Sequence, residues 1–203
     1  IELLDILPKC FIYGIAPLEA FLHSEQRKII LKAIERKLDI VNGLHEFFTE
    51  DEEFILKATE HNVQIFDIRK PPAKKDMHLF TGRILKVETP IVAVLGTDGA
   101  VGKRTTSVLL VEALKKAGLN VAFIATGQTG LIQGAKYGVA IDAIVEEYMT
   151  GEIEHAVMDA YDNENPDIII VEGQGALSHP AYLSSCGIIR GAVPKAIIVQ
   201  HPP

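Results

Sequence analysis

GTDGAVGKRTT, residues Gly96 to Thr106, decides the fold. It follows IVAVL, a wholly apolar run, and leads into TTSVLLVEALKKAG, whose apolar residues recur at helical spacing. A glycine-rich turn between a buried strand and a helix start is an anion cradle. Backbone N–H groups and the positive end of the helix dipole converge there. Gly99 and Gly102 let the backbone wrap closely, and Lys103 adds a point charge. The loop departs from the Walker pattern G-x-x-x-x-G-K-[ST] at two places. Thr97 stands where the first glycine belongs, and Arg104 stands where a metal-binding hydroxyl belongs. The candidate phosphate-binding residues are Thr97, Asp98, Gly99, Ala100, Val101, Gly102, Lys103, Arg104, Thr105 and Thr106.

Around this loop lie three more short runs rich in Val and Ile: VAFIA, DIIIV and AIIV. Continuous rather than alternating hydrophobicity marks strands buried on both faces of a parallel sheet. The helix after the loop is expected to turn Val108, Val111 and Leu114 to Ala117 toward that sheet. Lys115, Lys116 and Gly118 supply cations and a left-handed stop at its end.

Ligands of open α/β sheets bind at the carboxyl ends of the strands. Two polar stretches leave those ends beside the loop: ATGQTG (Ala125 to Gly130) and VEGQGALSHP (Val171 to Pro180). Glu172 is a candidate for holding Mg²⁺, for pairing with an ammonium group, or for general-base work. His179 is the second candidate for proton transfer. Gln128 and Gln174 offer neutral hydrogen bonds in the same crevice. His45, after a strand nearer the start, is a weaker candidate of the same kind.

Arg104 bears on the choice of ligand. Two adjacent cations at a phosphate lessen the need for Mg²⁺ and suit a ligand that carries phosphate as a handle, such as coenzyme A. If Mg²⁺-ATP binds instead, Thr105 and Glu172 are the expected metal ligands.

The first part of the chain also alternates strand and helix. Lys9 to Ile15 and Val63 to Arg69 read as strands, with LDIVNGL between them as a strand and turn. Glu25 to Lys37 carries Ile30, Ala33 and Ile34 on one helical face. Thr49 and Glu52 fit a capping box before the helix FILKATEH. Pro71 and Pro72 end the unit. The expected class is α/β, with two three-layer parallel-sheet domains: residues 1–72 Rossmann-like and residues 91–203 P-loop. Residues 73–90 read as a linker able to act as a hinge.

Composition narrows the function. The chain has 203 residues and a net charge of −7, and its densest basic run, Arg69 to Lys75, holds two prolines. That run reads as a solvated surface loop, and nucleic acid is not an expected partner. No apolar run approaches the ~20 residues needed to cross a bilayer, so no membrane association is expected. Cys10 and Cys186 lie far apart and fit no metal or redox spacing. Both are expected to be packed as small apolar groups in a reducing cytoplasm. The chain starts without methionine and stops soon after an apolar run, and is expected to be part of a longer protein.

Taken in order, GIAP, NGLHEF, DIRKPP, GTDGAVGKRTT, ATGQTG and VEGQGALSHPAY resemble the D-glutamate N-acetyltransferase-like family, long described as a domain of unknown function. The resemblance runs from about Lys9 to Pro203. It implies a Rossmann-like domain followed by a P-loop domain, and acetyl transfer from acetyl-CoA to the amine of a small acidic amino acid. It further implies that Gly99 to Thr106 bind the CoA phosphates. Thr126, Gly127, Gln128, Thr129, Gly130 and Gln174 would line the acceptor pocket, with Glu172 or His179 as base. A homo-oligomer is expected.

Two other readings compete. GTDxxVGK and VEGQG also resemble dethiobiotin synthetase, a Mg²⁺-ATP enzyme. The ParA and MinD type of ATPase is similar around VGKRTTSVLL, but carries a lysine early in the loop where this chain has Asp98.

Overall fold

The computed structural model describes residues 8–14 and 22–202. The chain divides into two compact units, Ile1–Lys70 and Pro71–Pro203.

In the first unit, β1 (Cys10–Tyr13), β2 (Asp39–Asn42) and β3 (Ile65–Asp67) form a parallel sheet in the order β1-β2-β3. Helices α1 (Ser24–Glu35) and α2 (Glu52–His61) connect them. The expected stripe is the buried one: Ile30, Ala33 and Ile34 of α1 share a core with Phe54 and Ala58 of α2 and with Ile40. The cap of α2 differs from expectation. Asp51, not Thr49, is the N-cap, accepting from the backbone N–H groups of Glu53 and Phe54 at 3.1 Å each. Phe48–Glu50 is a separate 3-10 turn, and Thr49 is drawn away to Asp67, its hydroxyl donating to Oδ2 at 2.7 Å. A carboxylate accepts both first-turn donors at once, and the threonine's better partner lies elsewhere. Most of the GIAP stretch lies outside the described residues.

In the second unit, five parallel strands run in the order β6-β5-β7-β4-β8. They are β4 (Ile91–Gly96), β5 (Val121–Ala125), β6 (Tyr137–Gly138), β7 (Ile168–Glu172) and β8 (Ala196–Gln200). Three of the apolar runs, β4, β5 and β7, are buried on both faces, as their continuity requires. AIIV, expected to be buried likewise, is not: β8 is an edge strand of the sheet, and Ile197 and Val199 are exposed. Ala93, Leu95, Ala122, Ile124, Ile169 and Val171 pack under α5 (Glu146–Glu164) and α6 (Ser184–Ala192). Val94, Val121 and Ile170 pack under Val111 of α3 (Lys103–Lys116). Lys103, Ser107 and Val111 are the buried residues of α3. Lys115 to Ala117, expected to face the sheet, are exposed, because consecutive residues of a helix point around its circumference and cannot all share one face. A short helix, α4 (Gln128–Ile132), follows β5.

Residues 73–90 are not a free linker. Ile84 and Val87 are buried in the core beneath α5, and buried acids on α5 hold the backbone of this strap. The Glu152 carboxylate accepts from His78 N at 2.6 Å, and the Glu154 carboxylate accepts from Thr81 N at 2.5 Å and Ile84 N at 3.1 Å. The basic run is solvated as expected except at its first residue: Arg69 is buried and donates to the Gly43 carbonyl at 2.8 Å. Both cysteines are exposed rather than packed, Cys10 on an outer strand and Cys186 on the outer face of α6. Among the described residues no helix is long and apolar enough to cross a membrane.

Candidate active site at the phosphate loop

The site assembles at the carboxyl ends of β4, β5 and β7, where parallel topology leaves three loops side by side. The loop after β4 turns through left-handed residues at Ala100 (φ 53°) and Gly102 (φ 97°). Gly102 is the N-cap of α3, and no side chain caps that helix, so its first-turn N–H groups face the cleft. The stem of Lys103 runs between two glycines. A Cβ on either Gly96 or Gly173 would stand 3.0 Å from Lys103 Cδ. Larger residues there would displace the lysine. Its Nζ donates to the Asp98 carbonyl at 2.7 Å, which pins the loop in a closed turn. Burial lowers the proton affinity of Lys103, and the Asp98 and Glu172 charges partly restore it.

Glu172 ends β7 and is 3% exposed. Its Oε2 accepts from Thr126 N at 3.1 Å, and its backbone carbonyl accepts from the Thr126 hydroxyl at 2.9 Å. Burial pushes the Glu172 carboxyl above the usual carboxylate range. The Thr126 and Gly127 N–H groups and the charges of Arg104 and Lys103 oppose that rise without cancelling it. A buried carboxyl with raised proton affinity, held by the turn after β5, is a group suited to proton transfer.

Ala100, Gly102, Lys103, Arg104 and Thr105 from the loop meet Gly127, Gln128 and Thr129 from the turn after β5. Glu172, Gly173 and Gln174 complete a cleft of about 420 Å³. Most of the residues expected from sequence are thus brought together. Several of them serve the framework instead. Thr97 Oγ1 lies 2.8 Å from His201 Nδ1, and the Thr106 hydroxyl accepts from Gln200 Nε2 at 2.7 Å, tying the loop to β8. Asp98 and Gly99 are exposed, with the Asp98 carboxylate accepting from Gly99 N at 2.6 Å. Val101 packs against Gly96, where a Cβ would meet its Cγ2 at 2.7 Å. Thr126 is fully buried behind Glu172, and Gly130 lines a second cavity on the far side of Arg104.

His179 does not join the cleft. It is exposed beyond the loop after β7, accepting from Ala181 N at 3.2 Å and lying against the Tyr182 ring at 4.9 Å. His45 is in the first unit, where it lines a separate pocket with Arg27 and Phe54. Two residues that the sequence left unmarked support the site. Asp142 accepts from Gln174 Nε2 at 2.9 Å, and Ser185 donates to the Gln174 carbonyl at 2.9 Å, so Gln174 is held from both ends. Neither sits in a motif. Only the fold brings them near. Among the described residues, no group of three or more His, Cys, Asp or Glu side chains converges.

Family models match both halves. Residues 2–71 match the Rossmann-like domain of DUF1611_N, and residues 78–203 match the P-loop domain of DUF1611_C, each described as a domain of unknown function. The chain belongs to the DUF1611 family. A D-glutamate N-acetyltransferase from Pseudoalteromonas is 37% identical over 195 residues, covering 95% of this chain and 56% of its own length. One from Tritonibacter scottomollicae is 28% identical over 196 residues, covering 96% and 56%. The crystal structure of a DUF1611 protein from Anabaena variabilis superposes with a TM-score of 0.88 at 32% identity. It covers 96% of this chain and 55% of the other. The chain therefore spans little more than half the length of the DUF1611 relatives it matches. The expected pairing of a Rossmann-like domain with a P-loop domain is the family's own.

Proposed function

We propose that this chain carries the donor-binding and proton-accepting parts of an N-acetyltransferase. The enzyme moves an acetyl group from acetyl-CoA to the amine of a small acidic amino acid such as D-glutamate. The observation that carries this reading is the meeting, in one cleft, of an uncapped helix start bearing Lys103 with the buried carboxyl of Glu172. The names of the two curated relatives support the reaction class.

The residues present fit a phosphate-bearing donor. The glycines at 96 and 173 leave the lysine stem its channel, and no side chain caps the start of α3. Bound there, CoA would supply an acyl group activated as a thioester. Lys103 and the N–H groups at the start of α3 would anchor its phosphates. Glu172 would take one proton from the acceptor's ammonium. The freed nitrogen lone pair would then form the amide bond as the C–S bond breaks, with the second nitrogen proton passing to the departing CoA thiolate, which leaves as the thiol. The backbone N–H of Gln128, at the start of α4, is suited to stabilise the carbonyl oxygen as it gains charge. Glu172 is preferred over His179 because only Glu172 lies in the cleft.

Calorimetric titration tests the reading, with acetyl-CoA lacking Mg²⁺ run beside ATP with and without Mg²⁺. Metal-independent binding of acetyl-CoA, lost in Lys103→Ala, is expected. Binding of ATP alone, and only with Mg²⁺, would replace the reading with a Mg²⁺-ATP enzyme that uses Thr105 and Glu172 at the metal.

A further inference from the structure

A second cavity of about 420 Å³ lies along the other flank of α3, and Arg104 lines both it and the phosphate cleft. Val108, Val111, Val121 and Phe123 give it an apolar side, and the cations Lys115 and Lys136 and the acids Glu112 and Glu164 also line it. Gly130 lines it from the side of α4. The same glycine lies against the carboxylate of Glu172, since a Cβ there would stand 2.9 Å from Glu172 Oε2. Arg104 Nε is buried between the two cavities with no hydrogen-bond partner among the described residues.

A buried guanidinium N–H left unpaired is costly unless a ligand completes it. The ligand that matches a guanidinium fork is a planar carboxylate, bound through two parallel hydrogen bonds. Phosphate has another host nearby in the uncapped start of α3 and Lys103. The apolar wall beside Arg104 suits the methylenes of a short side chain. We propose that this second cavity is the acceptor site, and that Arg104 binds a carboxylate of an acidic amino acid rather than the donor's phosphates. The acceptor's methylenes then lie on Val108 and Phe123, and its amine is directed past Gly130 to Glu172. The assignment rests on the acetyltransferase reading and adds to it the group that selects the acceptor.

The test measures two affinities in the same variants. Binding of D-glutamate, and of D-glutamine and L-glutamate for comparison, is followed by calorimetry in the presence of a non-transferable acetyl-CoA analogue. Binding of acetyl-CoA is measured separately. Arg104→Gln is expected to weaken D-glutamate binding by about ten- to a hundredfold, the value of a charged bidentate hydrogen bond, and acetyl-CoA binding by less than about threefold. Val108→Phe, which narrows the cavity without touching the loop, should also reduce D-glutamate binding and spare acetyl-CoA. Loss of acetyl-CoA binding in Arg104→Gln with D-glutamate affinity intact would overturn the assignment and leave the acetyltransferase reading standing. D-Glutamate binding unchanged in both variants would overturn it as well. If the unaltered protein bound neither compound, the reading on which the assignment rests would fall with it.

Discussion

Gly130 has no side chain where the Glu172 carboxylate needs room. A Cβ at that position would stand 2.9 Å from Glu172 Oε2 and 2.7 Å from Ala125 Cβ. Ala125 is fixed by β5, so the added methyl group must displace the carboxylate. Gly130→Ala regains at most about 1 kcal/mol of helix propensity in α4. Overpacking costs about 1–3 kcal/mol, so a net loss is expected. The melting temperature should fall, and acetyl transfer should fall with it as Glu172 loses its alignment. A variant as stable and as active as the parent would show that the carboxylate has another place to go.

Glu172 itself separates catalysis from stability. Burial holds its carboxyl above the usual range in the folded protein. A raised folded pKa contributes stability that is complete below the unfolded value of about 4.3 and is lost as pH rises through the folded one. Ionisation at neutral pH is therefore a cost that Glu172→Gln removes. The amide oxygen of the glutamine can still accept from Thr126 N. The variant should melt no lower than the parent at pH 7 and vary less with pH above 4.3. Its turnover should drop by about 10²–10⁴-fold, the usual contribution of a general base. Undiminished turnover would exclude Glu172 as the base.

These two positions also show what the sequence could disclose. The loop from Gly96 to Thr106 and the apolar runs flanking it carry their meaning locally. A parallel strand, a glycine turn and a helix start each have a one-dimensional signature, and Glu172 was legible because a strand's carboxyl end was legible. Asp142 and Ser185 were not, because they reach Gln174 from 32 and 11 residues away and belong to no motif. Helix α5 was obscured for a different reason. Gly151, Glu152 and Glu154 lie on its buried surface, so its apolar pattern is broken by groups whose partners lie on the strap. The prolines and lysines of that strap suggested a free linker, while its tie points, backbone N–H groups, leave no trace in side-chain composition. His179 was misplaced because a residue following a strand end by several positions can leave the cleft altogether.

The strap's attachment is open to a direct test. Burial pushes the Glu154 carboxyl up, but the hydrogen bonds from Thr81, Ile84 and Gly82 outweigh it and hold the group below the ordinary carboxylate range. That stability is present above the unfolded pKa and is lost as pH falls through the folded one. Glu154→Ala leaves several backbone donors without an acceptor and should cost about 2–4 kcal/mol at neutral pH, with the loss shrinking in acid. Gly151→Ala should act on the same contact. Its Cβ would meet the backbone of the strap, standing 2.7 Å from Phe80 N, where no side chain can swing aside. Denaturant unfolding at pH 7 and pH 4 measures both. An equal loss at the two pH values for Glu154→Ala would show that its charge plays no part.

In the first unit, the competition between Thr49 and Asp51 for the start of α2 gives a local readout. Asp51 accepts from Glu53 N and Phe54 N and forms a paired contact with Arg27, at 2.8 Å to Nη1 and 2.6 Å to Nη2. The Arg27 hydrogen bonds hold its carboxyl below the usual range against the opposing effect of burial. This contribution to stability is therefore present above the unfolded value of about 3.9 and fades as pH falls through the folded one. Asp51→Ala should cost about 1–2 kcal/mol, the range of a lost N-cap. Asp51→Asn should recover part of it by keeping the cap without the ion pair. Hydrogen exchange at the amides of Glu53 and Phe54 should accelerate in Asp51→Ala. It should not change in Thr49→Ala, whose hydroxyl is engaged with Asp67. Acceleration at both amides in Thr49→Ala, with none in Asp51→Ala, would restore the cap to the residue that the sequence motif first suggests.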